Sequence, residues 1–157
     1  MMMLFSNFML AIIWAAMTGT FSLANLVVGF LFGYISLLLL KPLMGDSAYY
    51  SKFPRTIGFI VYFLKEMIVS SARVAWDVIT PTHYNRPGIL AIPLSAKTDL
   101  EITLVANLIT LTPGTLSLDV SPDRSTLYIH AMFAEDPEAI RRDIKDGLER
   151  RLLELIR

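Results

Sequence analysis

The sequence has no cysteine among its 157 residues. This absence excludes a disulfide framework, a thiolate metal site and a cysteine nucleophile. Charge is also scarce, because only 18% of the residues are charged, against roughly 25% in soluble domains. No charged side chain precedes Lys41, whereas residues 81–157 hold nine Lys/Arg and eleven Asp/Glu. The mean hydropathy of +0.54 therefore comes from an apolar N-terminal part, which is typical of a small membrane protein.

Two uncharged apolar runs, at residues 4–18 and 23–40, occupy the start of the chain. A membrane helix needs about 20 apolar residues, so the second run is long enough and the first requires its flanking residues. We therefore predict two transmembrane helices within residues 1–44. A cleaved signal peptide is the alternative for the first run, but the basic leading region of such peptides is missing. Gly29 and Gly33 form a GxxxG pattern that predicts close helix packing, with the first run as the simplest partner.

Residues 45–80 contain a third predicted helix, over 54–79, that is long, apolar and yet charged. At 100° per residue its polar side chains share one face, and they are Tyr62, Lys65, Glu66, Ser70, Arg73 and Asp77. The helix either lies in the membrane interface, which we favour, or crosses with its polar stripe turned toward partner helices. Glu66 has two interpretations: a carboxylate that handles protons, or a member of a paired polar stripe with Arg73 and Asp77.

The basic residues that follow the second run predict the orientation of the chain. Lys41, Lys52 and Arg55 cluster there, and the positive-inside rule assigns such a cluster to the cytoplasm. With two spans and a flat third helix, both termini and the charged C-terminal part are expected on the cytoplasmic side of the cell membrane.

The C-terminal part begins after a linker at residues 81–88, which is rich in proline and polar residues. Residues 89–157 follow the order β-α-β-β-α and predict a small, ferredoxin-like α/β domain. Thr98 and Asp99 are candidate caps of its first helix, and Asp136-Pro137 opens the last one. In the second strand Leu116, Leu118 and Val120 alternate with Thr115, Ser117 and Asp119. The last helix carries an apolar stripe at Ile140, Ile144, Leu148, Leu152 and Leu155.

The helix at residues 100–111 is apolar on nearly every side, so packing on a sheet does not account for all of its large side chains. Its length of ~18 Å is too short to cross a ~30 Å hydrocarbon core. A second contact, with another protein or with the membrane surface, is therefore expected. Thr112, Pro113 and Gly114 then end the helix, with Gly114 suited to a positive φ. This turn is either a helix stop alone or a device that fixes the angle of a docking element.

Other kinds of site find little support in the sequence. His83 and His130 lack the spacing of a metal site, and each is better interpreted as an isolated imidazole. There is no glycine-rich phosphate loop, no Ser-His-Asp spacing and no basic patch for nucleic acid. We therefore expect no catalytic residue, cofactor, metal or nucleic-acid partner.

Three stretches carry a family resemblance. They are "FLKEMIVSSARVAWDVI" at residues 63–79, "LVANLITLTPGTLSLDV" at 104–120 and "LYIH" at 127–130. With the two apolar runs, they resemble the E subunit of the Mrp-type multisubunit cation/proton antiporters over essentially the whole chain. The resemblance implies an accessory subunit of a hetero-oligomeric membrane complex that exchanges Na⁺ or another monovalent cation for protons in pH and salt homeostasis. It also implies large multispanning subunits as partners.

Two other classes of protein are alternatives to this resemblance. A membrane-anchored interaction or scaffold protein would show the same apolar runs and the same small α/β domain. A membrane enzyme would need polar catalytic groups converging at the lipid boundary, and the sequence offers none.

Overall fold

The computed structural model describes residues 2–40, 48–81 and 85–157 of the chain. The helices and strands follow in the order α1 (Met2–Met17), α2 (Leu23–Leu39), α3 (Ala48–Ile79), β1 (Gly88–Pro93), α4 (Asp99–Leu111), β2 (Thr115–Val120), β3 (Thr126–Ala131), α5 (Pro137–Arg142), a π-helical segment (Asp143–Glu149) and α6 (Arg150–Ile156). The chain divides into two compact units, Met1–Arg55 and Thr56–Arg157. Lys41 and His83 lie outside the described residues.

Helices α1 and α2 occupy the two apolar runs. They have 16 and 17 residues, which corresponds to about 24 and 26 Å of helix. The hydroxyl of Ser22 caps α2 by accepting a hydrogen bond from the Asn25 amide. Two spans were predicted over these runs; in residues 2–40, 48–81 and 85–157, however, no helix has both the length and the apolarity that a membrane crossing requires.

Helix α3 begins six residues before the predicted start at Pro54, so this proline lies inside the helix. A proline has no N–H and leaves the carbonyl four residues earlier without its helical donor. That carbonyl belongs to Tyr50, and the Tyr34 hydroxyl donates to it at 3.4 Å. The Tyr34 ring also lies 4.5 Å from the Phe53 ring, centroid to centroid. These contacts within the first unit explain why the helix continues through the proline.

The second unit contains a three-stranded antiparallel sheet in the order β1-β3-β2. Leu90 pairs with Ile129 across β1 and β3, and both side chains face the helices and are buried. The core between sheet and helices consists of Leu90, Ile92, Ala96, Ile102, Val105, Ile109, Leu127, Ile129, Ala131, Leu148, Leu152 and Leu153, with Phe59 and Phe63 of α3 packed against it. The predicted α/β layer is therefore present.

Strand β2 does not place its apolar residues on one face, as its alternation suggested. A register irregularity lies between Ser117 and Asp119. Val120 packs against the core, whereas Leu116 and Leu118 are exposed. The irregularity adds one residue to the strand and so reverses the face on which later side chains lie.

The last helix starts as predicted and then departs from α-helical geometry. The Asp136 side chain caps it by accepting from the Ala139 amide, with Pro137 at the first turn. Leu148 and Leu152 of the predicted stripe are buried, and Ile140 and Ile144 pack against the core. The wider π-helical turn broadens this buried side. Glu149 and Leu153 become buried, while the predicted stripe residue Leu155 stays only half-buried.

Candidate functional site

The polar stripe of α3 and the turn after α4 meet in one cleft of the second unit. The cleft has a volume of about 160 Å³. Its polar lining consists of Tyr62, Glu66, Ser70, Arg73, Thr112, Thr115 and Asp143. Pro113 and Gly114 line a smaller neighbouring cavity of about 70 Å³, which Arg73 also borders. The fold thus brings together the polar stripe of α3 and the turn after α4, which are far apart in sequence and were predicted separately.

Arg73 and Asp77 lie at the far end of this stripe. The guanidinium of Arg73 is 5.9 Å from the centroid of the Phe133 ring, within the range of a cation–π interaction. Asp77 is buried at 3% exposure, and it borders a further cavity together with Arg73 and Glu135. Between Tyr62 and Asp77 the polar stripe therefore faces the α/β layer, except for Lys65, which is exposed.

Tyr62 is the contact point between α3 and the π-helical segment. The guanidinium of Arg151 lies 4.5 Å from the centroid of its ring. A Cβ at Gly147 would collide with the Tyr62 hydroxyl, so a side chain there would force Tyr62 to move. Sequence reasoning did not identify Gly147 or Arg151. No local pattern in the sequence indicates either residue, because apolar residues spaced by three or four also fit an ordinary α-helix.

The turn after α4 is tied to both its neighbours. Thr112 is extended, at φ −83° and ψ 117°, and its hydroxyl donates to the Leu108 carbonyl at 3.0 Å. Gly114 has the expected positive φ, at 89°, and its carbonyl accepts from the Met132 amide at 2.8 Å. The Thr115 hydroxyl donates to Ile109 O at 2.6 Å. The turn therefore satisfies carbonyls at the end of α4 and fixes the start of β2.

The apolar side chains of α4 are largely used inside the chain. Three of them are fully buried on the sheet, and Leu104, Ala106 and Leu108 pack against the same core. Leu100 and Leu111 remain exposed, at 63% and 61%, at opposite ends of the helix. Packing inside the unit therefore accounts for most of this helix, and isolated exposed leucines at its ends do not require the second contact that the sequence predicted.

Large apolar side chains instead occupy the face of the sheet that points away from the helices. Ile89 of β1 is 69% exposed, and Leu116 and Leu118 of β2 are 46% and 47% exposed. His130 of β3 lies between Ile89 and Leu116 in the strand register. Tyr128, two residues earlier on β3, is 40% exposed on the same face. In the described residues no three His, Asp or Glu side chains converge to hold a metal.

Gly29 and Gly33 lie in the first unit, against α1. Both are buried. A Cβ at Gly29 would fall 2.9 Å from the Cβ of Trp14, and one at Gly33 would collide with Asn7 Oδ1. Asn7 is itself fully buried and donates to the Tyr49 hydroxyl at 2.6 Å. The two glycines thus allow α1 and α2 to approach around a buried amide.

Two buried carboxylates stabilise the loop between β1 and α4, and neither was singled out from the sequence. Glu101 accepts from the Lys97 amide at 2.8 Å and from Arg157 Nε at 3.1 Å. The hydrogen bonds from Arg157 and from the loop amides lower the pKa of Glu101 to about 2. Glu149 accepts from the amides of Ser95 and Ala96 at 2.6 and 2.9 Å. The last helix is thereby fixed to the loop from two positions.

Comparison with known proteins gives consistent matches over most of the chain. The family model described as Na⁺/H⁺ ion antiporter subunit (MNHE) matches residues 7–155. The chain is similar to the E subunit of the Na⁺/H⁺ antiporter of Alkalihalophilus pseudofirmus, with 36% identity over 95% of this chain and 94% of that protein. It is also similar to the E subunit of the Bacillus subtilis Na⁺/H⁺ antiporter, with 36% identity over 96% of each chain.

Two solved complexes contain chains of similar structure. One is the Mrp complex of a Dietzia species, with a TM-score of 0.51 and 33% identity over 66% of this chain and 96% of that chain. The other is a membrane-bound sulfane sulfur reductase, an archaeal respiratory membrane complex, with a TM-score of 0.58 and 29% identity over 96% of each chain.

Proposed function

Because this chain belongs to the family of Na⁺/H⁺ ion antiporter subunits and is a subunit of an Mrp-type multisubunit antiporter, we propose that it assembles the complex and carries no ion path of its own. In this proposal α1 and α2 hold the chain in the cell membrane. The α/β layer, which we take to be ferredoxin-like from its β-α-β-β-α succession, lies on the cytoplasmic side and contacts other subunits.

The apolar exterior of α1 and α2 carries this proposal. Many large apolar side chains of these helices have at least two-fifths of their surface exposed. They are Leu4, Phe5, Phe8, Ile12, Ile13, Met17, Leu23, Val27, Val28, Leu31, Phe32, Ile35, Leu38 and Leu39. No charged residue interrupts them. An apolar surface of this extent marks contact with lipid or with other proteins, and both are available to a subunit of a membrane complex.

The two sides of α3 support an interfacial position for this helix. Its polar side faces the α/β layer of the same unit, so that side is not available to line a path among partner helices. Its other side exposes large apolar residues, which are Ile57, Ile60, Val61, Leu64, Ile68, Val78 and Ile79. A helix with one polar and one apolar side lies in the plane of the membrane interface, and both termini of the chain would then be cytoplasmic.

The arrangement around Glu66 favours a structural role over proton handling. Glu66 shares its cleft with Arg73 and with the threonines of the turn, whereas a transport path needs polar groups lining a cavity between helices at membrane depth. We therefore expect Glu66→Gln to retain antiport in vesicles that contain the whole complex. Complete loss of antiport from a fully assembled complex would show that Glu66 handles protons.

Purification of the tagged full chain in mild detergent tests the assembly role. Stoichiometric recovery of large multispanning subunits is expected. A stable solitary chain would instead support the membrane-anchored scaffold protein and would refute the proposal.

Cysteine labelling in intact cells tests the topology, since the chain has no cysteine of its own. Phe21→Cys, next to the α2 cap, should react with an impermeant reagent from outside. Pro122→Cys, in the exposed turn before β3, should react only after the cells are opened. Labelling of position 122 in intact cells would place the α/β layer outside.

A further inference from the structure

From Thr115 to Leu118, strand β2 has its polar side chains inward and its leucines outward. The hydroxyls of Thr115 and Ser117 donate to carbonyls of α4 at 2.6 and 2.9 Å. Leu116 and Leu118 therefore face away from the helices, and each is nearly half exposed. A soluble, independent α/β layer would place leucine on the buried side and serine or threonine on the open side. The inverted strand indicates that the open side is itself a contact surface.

The strand register extends this surface across the whole sheet. Leu116 lies opposite His130, and His130 lies opposite Ile89. Tyr128 and Ala91 form the next pair on the same side. We refer to the set as the outer sheet face; its members are Ile89, Ala91, Leu116, Leu118, Tyr128 and His130. Asp119 also lies opposite Tyr128, at the β2 edge of this face, where its side chain accepts from the Val120 amide at 2.8 Å. The face has no Lys, Arg or Glu.

We propose that the outer sheet face binds one apolar α-helix of another subunit of the antiporter complex. The proposal rests on the proposed assembly function and names the surface that performs it. Three strands at ~4.8 Å spacing make a face about 10 Å across, which equals the diameter of one helix. Six residues of strand extend about 20 Å, so a helix of about 13 residues covers the face.

The chemistry of the face argues against a lipid surface as the occupant. Surfaces that bind the membrane interface combine apolar residues with Lys or Arg that contact anionic headgroups. The outer sheet face has neither Lys nor Arg, and the carboxylate of Asp119 lies only at its β2 edge, so its complement is an apolar protein surface.

The edges of the sheet argue against addition of a strand. At the free edge of β1, the carbonyl of Ala91 accepts from Arg141 Nε and that of Pro93 accepts from Lys145 Nζ, each at 3.0 Å. At the opposite edge, β2 is irregular between Ser117 and Asp119. Charged side chains and irregular pairing both oppose edge-to-edge association. A partner therefore contacts the face of the sheet.

The test introduces a negative charge at exposed leucines inside and outside the outer sheet face. The full chain is co-expressed with the other subunits of the complex. Leu116→Glu combined with Leu118→Glu should lower recovery of the other subunits by more than about tenfold, because two carboxylates would be buried against an apolar helix. Leu100→Glu is the matched control: an exposed leucine of the same unit outside the face, which should leave recovery unchanged. Circular dichroism of both variants should match that of wild type, since all three leucines are already exposed.

The outcomes separate this inference from the proposed function. Wild type that recovers no partners refutes the assembly function itself. If wild type and the Leu116/Leu118 variant recover partners equally, the function stands and the inference is wrong. Loss of partners with Leu100→Glu alone would move the contact to α4 and also overturn it.

A photo-crosslinking amino acid in place of Tyr128 provides an independent measurement in a face that keeps both leucines. A covalent adduct with one other subunit, mapped to a helical segment, is expected. An adduct between two copies of this chain would show that a second copy is the occupant. Adducts with lipid alone would show a membrane contact, and either result would overturn the proposal.

Discussion

Removal of the Glu149 carboxylate should open the loop that joins β1 to α4. Glu149 is 1% exposed, and one of its oxygens accepts both the Ser95 and the Ala96 amide. The other oxygen has no hydrogen-bond partner within the described part of the chain. One atom, Oε1, therefore satisfies two backbone donors at once.

The size of the effect depends on what replaces the carboxylate. Hydrogen bonds to a charged group contribute about 1.5–3 kcal/mol each, so loss of both bonds in Glu149→Ala should cost the closed loop about 3–6 kcal/mol. Glu149→Gln keeps an oxygen in the same place, and a neutral acceptor has roughly half the strength of a charged one. Its loss is offset by the lower cost of burying a neutral group, so we expect about 1 kcal/mol.

Hydrogen exchange measured by mass spectrometry on the full chain in detergent reports this loop directly. Because 1.4 kcal/mol corresponds to a factor of ten, exchange at Ser95 and Ala96 should rise more than about a hundredfold in Glu149→Ala. In Glu149→Gln it should rise less than about tenfold. Glu154→Ala, at an exposed position of α6, is the control and should leave these amides protected. Unchanged exchange in Glu149→Ala would refute the role assigned to this carboxylate.

Three further results are expected. The pKa of Glu101 is about 2 in the fold against an ordinary 4.5, so its stabilisation by Arg157 should be complete above pH 4.5 and disappear as the pH falls toward 2. Acid unfolding curves of Glu101→Gln should lack this pH-dependent loss of stability, and curves identical to those of wild type would contradict the prediction. In thermal melts, Gly147→Ala should lower the stability of the chain by about 1–3 kcal/mol. Adding Tyr62→Phe should restore part of that stability, because the colliding hydroxyl is gone; a double variant no more stable than Gly147→Ala would show that this hydroxyl is not the cause. Gly114→Ala should cost about 1 kcal/mol or more from its positive φ and reduce assembly of the complex, and wild-type melting would show that the turn tolerates a side chain.

Helix starts that depend on one capping side chain can be predicted from sequence. Thr98 accepts from the Glu101 amide, while the Glu101 side chain bonds back to the Thr98 amide. Asp136 caps the last helix in the expected way, with Pro137 beside it. These interactions span three residues, so the local sequence contains everything that determines them.

The orientation of β2 could not be predicted in the same way. Alternation indicates only that every second residue shares a face. Which face is buried is decided by α4, whose carbonyls accept the Thr115 and Ser117 hydroxyls. The meeting of Glu66 with Thr112 in one cleft likewise depends on packing between segments over 40 residues apart. The π-helical segment could not be predicted either, because apolar residues spaced by three or four fit an ordinary α-helix.

The role of one surface residue, Arg141, could not be predicted from the sequence either. From the sequence, Arg141 lies on the polar face of the last helix, and its replacement by alanine should matter little. In the structure its Nε donates to the Ala91 carbonyl at the edge of β1. Arg142, which is exposed, is the better choice for a neutral surface substitution.

The bonds of Glu149 also set an order of events during synthesis. Ser117 reaches its α4 acceptor across 11 residues, whereas Ser95 and Glu149 are 54 residues apart. At about 5–20 residues per second, the ribosome adds Glu149 roughly 3–10 s after Ser95. Contacts between residues close in sequence form before contacts between distant ones, so α4 joins β2 before the last helix fixes the loop. A released chain that ends just before Glu149 therefore contains the residues of all three strands but leaves the Ser95 and Ala96 amides without this acceptor, which makes the loop a point of access for a protease.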